Sequence, residues 1–208
     1  MSTRFLLVRH GACERMDDLL FGRVIDVPLS RRGRMQSARL AQGVDGLPVL
    51  RIEASPRVRA QQTAQPMAER LGCTVLPCAE LDEVDFGRWA GQPFQELALD
   101  PEWRRWNQQR DSACTPAGET MAGVQKRIVD HMRRLAAESL RAHANDVVVL
   151  VTHAEVIRAA LLYCLHEPFG RYATLRIDPA CVSTVEVSAR AMRVLGVNRS
   201  TLERTVDA

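Results

Sequence analysis

The chain has 208 residues, 46% hydrophobic and 25% charged, which is the composition of an ordinary globular protein long enough to bury a sizeable core. Its 28 Lys plus Arg against 25 Asp plus Glu leave a net charge of +3, too small an excess to indicate a nucleic-acid partner. No run approaches the roughly 20 apolar residues that span a bilayer, and the apolar stretch after Met1 meets Arg9 too soon for a secretory signal, so no membrane role is expected.

Phe5 to Val8 is a short apolar run that stops at Arg9-His10-Gly11, which predicts a buried strand feeding a loop. A loop-like stretch with Gly22, Asp26 and Pro28 follows, and then a helix capped by Ser30 that ends at about Gln42, before Gly43. Val49 to Ile52 reads as a second strand, Val58 to Arg70 as a helix stopped by Gly72, and Thr74 to Leu76 as a third strand. Residues 80–92 read as a loop. Short helices are expected over 93–110, with Trp103 and Trp106 on one face for packing rather than as a ligand clamp. A break at Thr115 to Glu119 precedes a long helix from Thr120 to Ala142. Asp146 to Val151 is the strongest strand, meeting Thr152-His153 and a helix from Glu155 to Leu165. Val182 to Val187 and Met192 to Val197 resemble a terminal strand pair, before a polar, frayed tail from about Arg199.

Strands alternating with helices predict an α/β fold, a three-layer α/β/α sandwich with a mostly parallel central sheet. A single domain over 1–208 is expected, with a small helical insertion over the site at about 93–117. Cys13, Cys73, Cys78, Cys114, Cys164 and Cys181 form no C-x-x-C pair and none sits at zinc-ligand spacing with a histidine. They predict a reduced, cytoplasmic chain without disulfides. His131, His143 and His166 carry no motif and read as surface residues.

Arg9-His10, Ser55 with Arg57 and Arg59, and Thr152-His153 all fall at the carboxyl ends of predicted strands, where open α/β sheets bind ligands. The pattern predicts one site with two arginines and two histidines, suited to a dianion.

On these residues the chain resembles the histidine phosphatase (phosphoglycerate mutase-like) superfamily. The resemblance rests on Arg9-His10-Gly11, on Ser55-Pro-Arg-Val-Arg59-Ala-Gln-Gln-Thr63-Ala64, on Leu81-Asp-Glu83 with Gly87-Arg-Trp-Ala-Gly91, and on Thr152-His153. Gly22-Arg23, Asp26 to Gly33, Gly118-Glu119-Thr120 and Arg158 also match, so it covers about residues 3 to 198. It implies a phosphomonoester hydrolase acting through a phosphohistidine on His10. Arg9, Arg59 and His153 would surround the phosphoryl oxygens, and Glu83 would be the general acid and base, with Asp82 and Asp85 as competing neighbours. Thr152 and Gly22 are further substrate-binding candidates, and Arg57 is either a site residue or a solvated charge. No metal or other cofactor is implied. The partner is a small-molecule phosphate ester, and a homodimer is an admissible assembly.

The chain departs from the superfamily pattern in four places, five residues in all. Ala12-Cys13 replaces Glu-Thr, Met16 replaces an Asn that contacts phosphate, Ala154 replaces Gly, and Glu155 stands where a small or neutral residue is usual. The carboxylate of Glu155 is expected to weaken anion binding. The segment between Glu83 and the long helix is compact, which favours a phosphatase over a mutase. Phe21-Gly-Arg23, Asp85 to Gly91 and Asp178-Pro-x-x-Val-Ser183 resemble the α-ribazole phosphatases of cobalamin biosynthesis, making α-ribazole 5′-phosphate a candidate substrate. The alternatives are a phosphoglycerate mutase-type phosphotransferase and a catalytically weak phospho-ligand binder.

Overall fold

A buried strand must hide both of its faces, and the two strongest apolar runs do this by alternation. The structure, a computed structural model, describes residues 2–139 and 146–201. In β1 (Ser2–Arg9) and β4 (Val147–Thr152), Phe5, Leu7, Val148 and Leu150 face one side, while Leu6, Val8, Val147, Val149 and Val151 face the other. On the first side lie α5 (Met121–Ser139) and α6 (Ala154–Cys164). On the second lie α1 (Arg31–Gln42) and α2 (Val58–Leu71), so helices cover both faces as expected.

The sheet has six strands in the order β3-β2-β4-β1-β5-β6, where β2 is Val49–Ala54, β3 Val75–Pro77, β5 Val182–Ser188 and β6 Met192–Arg199. β1 to β4 are parallel, and the terminal pair β5 and β6 adds antiparallel edges. The register sets Arg9 beside Thr152, while His10 N–H donates to the Thr152 carbonyl and Ser55 N–H to that of Val151. His10, Ser55 and His153 therefore emerge at one level of one sheet end, which is the positional basis of the site.

Helix ends follow local chemistry. Ser30 caps α1 by accepting from Gly33 N–H, and Gly72 ends α2 with a left-handed φ of 67°. Two short helices, α3 (Phe94–Leu97) and α4 (Pro101–Gln108), cover the loop after Glu83. Asp100 caps α4 and also accepts 2.8 Å from Trp89 Nε1, tying that helix to the loop. Trp89, Trp103 and Trp106 pack edge-on or stacked, with ring centroids 5.2 to 5.9 Å apart.

His131 corrects the expectation of a surface residue, being 4% exposed. It continues the buried Val124–Ile128 stripe of α5 toward Leu135 at helical spacing, so it turns inward, and its Nε2 meets Glu53 of β2 at 2.6 Å. His166 is exposed as expected. His143, the expected helix end at Ala142 and tail residues 202–208 lie outside the described residues. Among the described residues, no helix is long and apolar enough to cross a membrane.

The loop bearing His10 is pressed onto the start of α1. A Cβ on Gly33 would lie 2.1 Å from the Ala12 carbonyl oxygen, and one on Gly11 would lie 2.8 Å from that of Gly33. Gly33→Ala is expected to destabilise the fold by about 1–3 kcal/mol, the range for overpacking, and to lower the urea midpoint at unchanged slope. An unchanged midpoint would show that the two segments separate freely.

Candidate active site

His10 is 4% exposed and sits directly after β1. Its Nδ1 is 2.8 Å from the Gly11 carbonyl oxygen, an acceptor only, so Nδ1 carries the ring proton and Nε2 keeps its lone pair. Burial, then the charges of Arg59 and Arg9, hold the imidazole well below the usual histidine range. The ring is therefore neutral at physiological pH, with a free nitrogen at the cavity that His10 lines.

Arg59, on the first turn of α2, is 1% exposed. Its Nη2 donates to the Gly22 carbonyl at 2.9 Å and to His153 Nδ1 at 3.3 Å. Arg9 donates to the Ile177 carbonyl at 2.6 Å and contacts Met16 Sδ at 3.5 Å. Neither guanidinium has a carboxylate partner among the described residues, and the Nε of each is buried without a hydrogen bond. Buried cationic donors without partners are matched by an anion.

His153 is fully buried at the end of β4. Ser55 Oγ donates to Asp82 Oδ1 at 3.1 Å and so can accept from His153 Nε2 at 2.8 Å. This relay leaves Nδ1 facing Arg59 and, at 3.5 Å, Glu83 Oε2. Burial first, then Arg59, keeps His153 well below the usual range.

Glu83 lines the same cavity, and its Oε1 accepts from Val84 N–H at 2.9 Å. Burial pushes its carboxyl up to about 7, against the opposing pull of Arg59 and with help from Glu155. Its backbone is held by two cations, since Arg23 Nε and Arg127 Nη2 both donate to the Glu83 carbonyl, at 2.7 and 3.2 Å. Glu119 bonds both of those guanidiniums, which gives the Gly118-Glu119 motif a positioning role. The two rival acids are occupied elsewhere. Asp82 takes Ser55, Glu83 N–H and Arg57, and Asp85 Oδ1 accepts from Gly87 N–H.

The structure thus brings together Arg9, His10, Arg59, Glu83 and Gly22 around one cavity, with His153 behind Arg59. Thr152 does not join them. Its hydroxyl donates to the Leu81 carbonyl at 2.6 Å and is fully buried, because alternation along β4 turns it away from its neighbour His153. Arg57 is neither a cavity residue nor a solvated charge, as it pairs with Asp82 at 3.0 Å and donates to the Arg23 carbonyl.

Sequence reading missed the Ser55–Asp82 support of His153, although both residues stand inside recognised motifs. It also missed Arg110, which no motif marks. The Arg110 guanidinium lies between the Trp106 and Tyr172 rings, 3.8 and 3.7 Å from their centroids, and bonds Glu155 at 2.8 Å. Arg158 holds the other Glu155 oxygen at 3.1 Å, so two guanidiniums meet the carboxylate that departs from the pattern. Phe21, Phe86, Phe94, Trp103 and Trp106 form the outer wall of the cavity. The two tryptophans therefore line the cavity as well as pack.

A family model described as "Histidine phosphatase superfamily (branch 1)" matches residues 5–200. "Phosphoserine phosphatase 1" of Hydrogenobacter thermophilus is 27% identical over 94% of this chain and 92% of its own length. "Probable phosphoglycerate mutase GpmB" of Klebsiella pneumoniae is 28% identical over 86% of this chain and 83% of its own. The crystal structure of the α-ribazole phosphatase from Shigella flexneri superposes with a TM-score of 0.83 at 22% identity, covering 97% of this chain and 98% of that one, a likeness of fold.

Because Glu83 is raised from 4.5 to about 7 in the folded chain, the folded state holds its proton more tightly than the unfolded state. That contribution to stability is complete below about pH 4.5 and lost as pH rises through about 7, on the order of 3 kcal/mol. Glu83→Gln, which cannot ionise, is expected to match the native Tm at pH 4 and exceed it at pH 8. A Tm difference independent of pH would remove the raised carboxyl from the account.

Proposed function

We propose that this chain, which belongs to the histidine phosphatase superfamily, hydrolyses a small phosphate monoester through a phosphohistidine on His10. The carrying observation is the bond from His10 Nδ1 to the Gly11 carbonyl, which frees Nε2 as the nucleophile at the cavity. Phosphatase chemistry accords with the family, and the assignment of its steps to residues is our reading.

His10 Nε2 attacks phosphorus as the ester P–O bond breaks. Arg9 and Arg59 hold the equatorial oxygens, where the transition-state charge lies. Glu83, near pH 7 about half protonated, gives its proton to the departing oxygen. The resulting carboxylate then takes a proton from water, whose oxygen attacks the phosphohistidine, releasing phosphate and restoring His10. Gly22 contributes its carbonyl, which orients Arg59 from the cavity wall. His153 serves as a phosphate-side donor once the arriving dianion raises its basicity.

For the substrate we infer an alcohol that carries an aromatic group, with α-ribazole 5′-phosphate as the specific candidate and cobalamin assembly as its setting. The five-aromatic wall supports this, and α3 and α4 act as the helical cap that supplies part of it. The pairing of Arg110 with Glu155 weakens the case for a carboxylate-bearing ester such as phosphoserine, since the nearest extra cation is already matched. Six unpaired cysteines support a reducing, cytoplasmic setting.

Purified protein assayed in EDTA against p-nitrophenyl phosphate, α-ribazole 5′-phosphate, phosphoserine and 3-phosphoglycerate tests both levels. Turnover that is lost in His10→Ala, with preference for the α-ribazole ester, is the expected result. Even activity across the panel discards the substrate, and an active His10→Ala discards the covalent route. Phosphoglycerate isomerisation primed by a bisphosphate would instead support a mutase.

Glu83→Gln is expected to slow alkyl esters at least 10-fold more than p-nitrophenyl phosphate, because an activated leaving group needs little protonation. Equal losses in kcat on both would assign the general acid elsewhere.

A further inference from the structure

Three donor atoms of different chemistry converge behind the segment that carries Glu83. Glu53 lies in the buried half of β2, Cys78 follows β3, and His131 projects inward from α5. His131 Nε2 is 2.6 Å from Glu53 Oε2 and 3.4 Å from Cys78 Sγ, and the carboxylate, thiol and imidazole donors all lie within 4.8 Å of one another. All three side chains are almost wholly buried, at 5%, 8% and 4% exposure. A second carboxylate oxygen, Glu80 Oε2, is 3.2 Å from Cys78 Sγ.

We propose that Glu53, Cys78 and His131, completed by Glu80, form a binding site for a divalent borderline-soft cation, best matched by Zn²⁺. One thiolate, one imidazole and carboxylate oxygen make a donor set that zinc favours and that magnesium or calcium does not. Tetrahedral zinc holds a sulfur and a nitrogen about 3.5 Å apart and a nitrogen and an oxygen about 3.3 Å apart. The Cys78–His131 pair already has the first spacing, and the Glu53–His131 pair needs to open by about 0.7 Å to reach the second. The cluster joins a strand, a loop and a helix that are far apart in sequence, so a bound ion would cross-link them.

The proton balance is defined. Arg134 Nη2 now donates to His131 Nδ1 at 2.6 Å, so Nε2 carries the proton and gives it to Glu53. On coordination through Nε2 that proton moves to Nδ1, Arg134 swings off, and the Cys78 thiol releases one proton to solvent. The Arg134 side chain is 55% exposed, and that of Glu80 40%, so both move without disturbing the core and mark the entry path. Arg51, 3.1 Å from Glu53 Oε1, stays on the other carboxylate oxygen.

The site is separate from the phosphate pocket, whose chemistry involves none of these residues. The test uses Co²⁺, whose thiolate complexes absorb in the near ultraviolet. In a background where the exposed Cys73 and Cys114 are changed to serine, metal-free protein titrated with Co²⁺ is expected to show one thiolate-to-cobalt band at one equivalent. Zn²⁺ should bleach the band and raise Tm. Cys78→Ser should abolish the band, and Glu53→Gln should weaken binding at least 10-fold, with far-ultraviolet circular dichroism confirming that each variant folds. No band in the parent protein, or a band that survives Cys78→Ser, overturns the proposal and leaves the cluster a hydrogen-bonded network.

Discussion

A buried guanidinium without a counter-ion governs this molecule. Removing a cation from water is unfavourable unless an opposite charge or good acceptors replace the lost hydration. Arg59 is 1% exposed and rests on two backbone carbonyls and one imidazole nitrogen. Its charge is the first electrostatic cause of the lowered basicity of both His10 and His153, after burial itself. The same charge opposes, without cancelling, the burial that raises Glu83. One residue thus keeps His10 neutral and moderates the rise at Glu83.

The scaffold explains how such a residue is tolerated. Arg59 leaves the first turn of α2, where Thr63, one turn on, bonds both the Arg59 carbonyl and Gly11 N–H. The arginine and the nucleophile loop are therefore locked by one hydroxyl. Glu119 performs a similar service on the opposite wall, since it holds Arg23 and Arg127 against the carbonyl of Glu83. Both devices are hydrogen-bonded networks with few unmatched members, the form in which buried polarity rigidifies a site.

Much of this was legible in the chain because the parallel sheet turns sequence position into spatial position. Arg9, His10, Arg59 and His153 follow apolar runs or sit one turn into the next helix, and strands that share a direction deliver them to one edge. Glu83 is favoured over Asp82 and Asp85 by its place in the Leu-x-Glu motif, and the structure adds the separate partners that occupy those two acids. Other features depend on long-range contacts that no local pattern encodes. Arg110 closes on Glu155 across 45 residues, and Cys78 meets His131 across 53. Thr152 was misread because neighbours on a strand point to opposite faces. His131 was misread because a polar residue inside an apolar helical stripe follows the stripe when a buried carboxylate awaits it.

The departures at Met16 and Glu155 alter the site less than their chemistry suggests. Met16 still contacts Arg9, through a sulfur that accepts weakly, so that guanidinium keeps most of its donor strength for a substrate. Glu155 lies between Arg110 and Arg158, and a carboxylate with two cationic partners carries little field toward an arriving anion. What field it retains raises Glu83, favouring the protonated acid. An arriving dianion acts in the same direction. It offsets Arg59, so Glu83 keeps its proton and His153 gains basicity when the proposed mechanism requires each to donate. The cationic charge that keeps His10 neutral is thus counterbalanced by the substrate, and in the proposed mechanism the protonation pattern for the first transfer follows from binding itself.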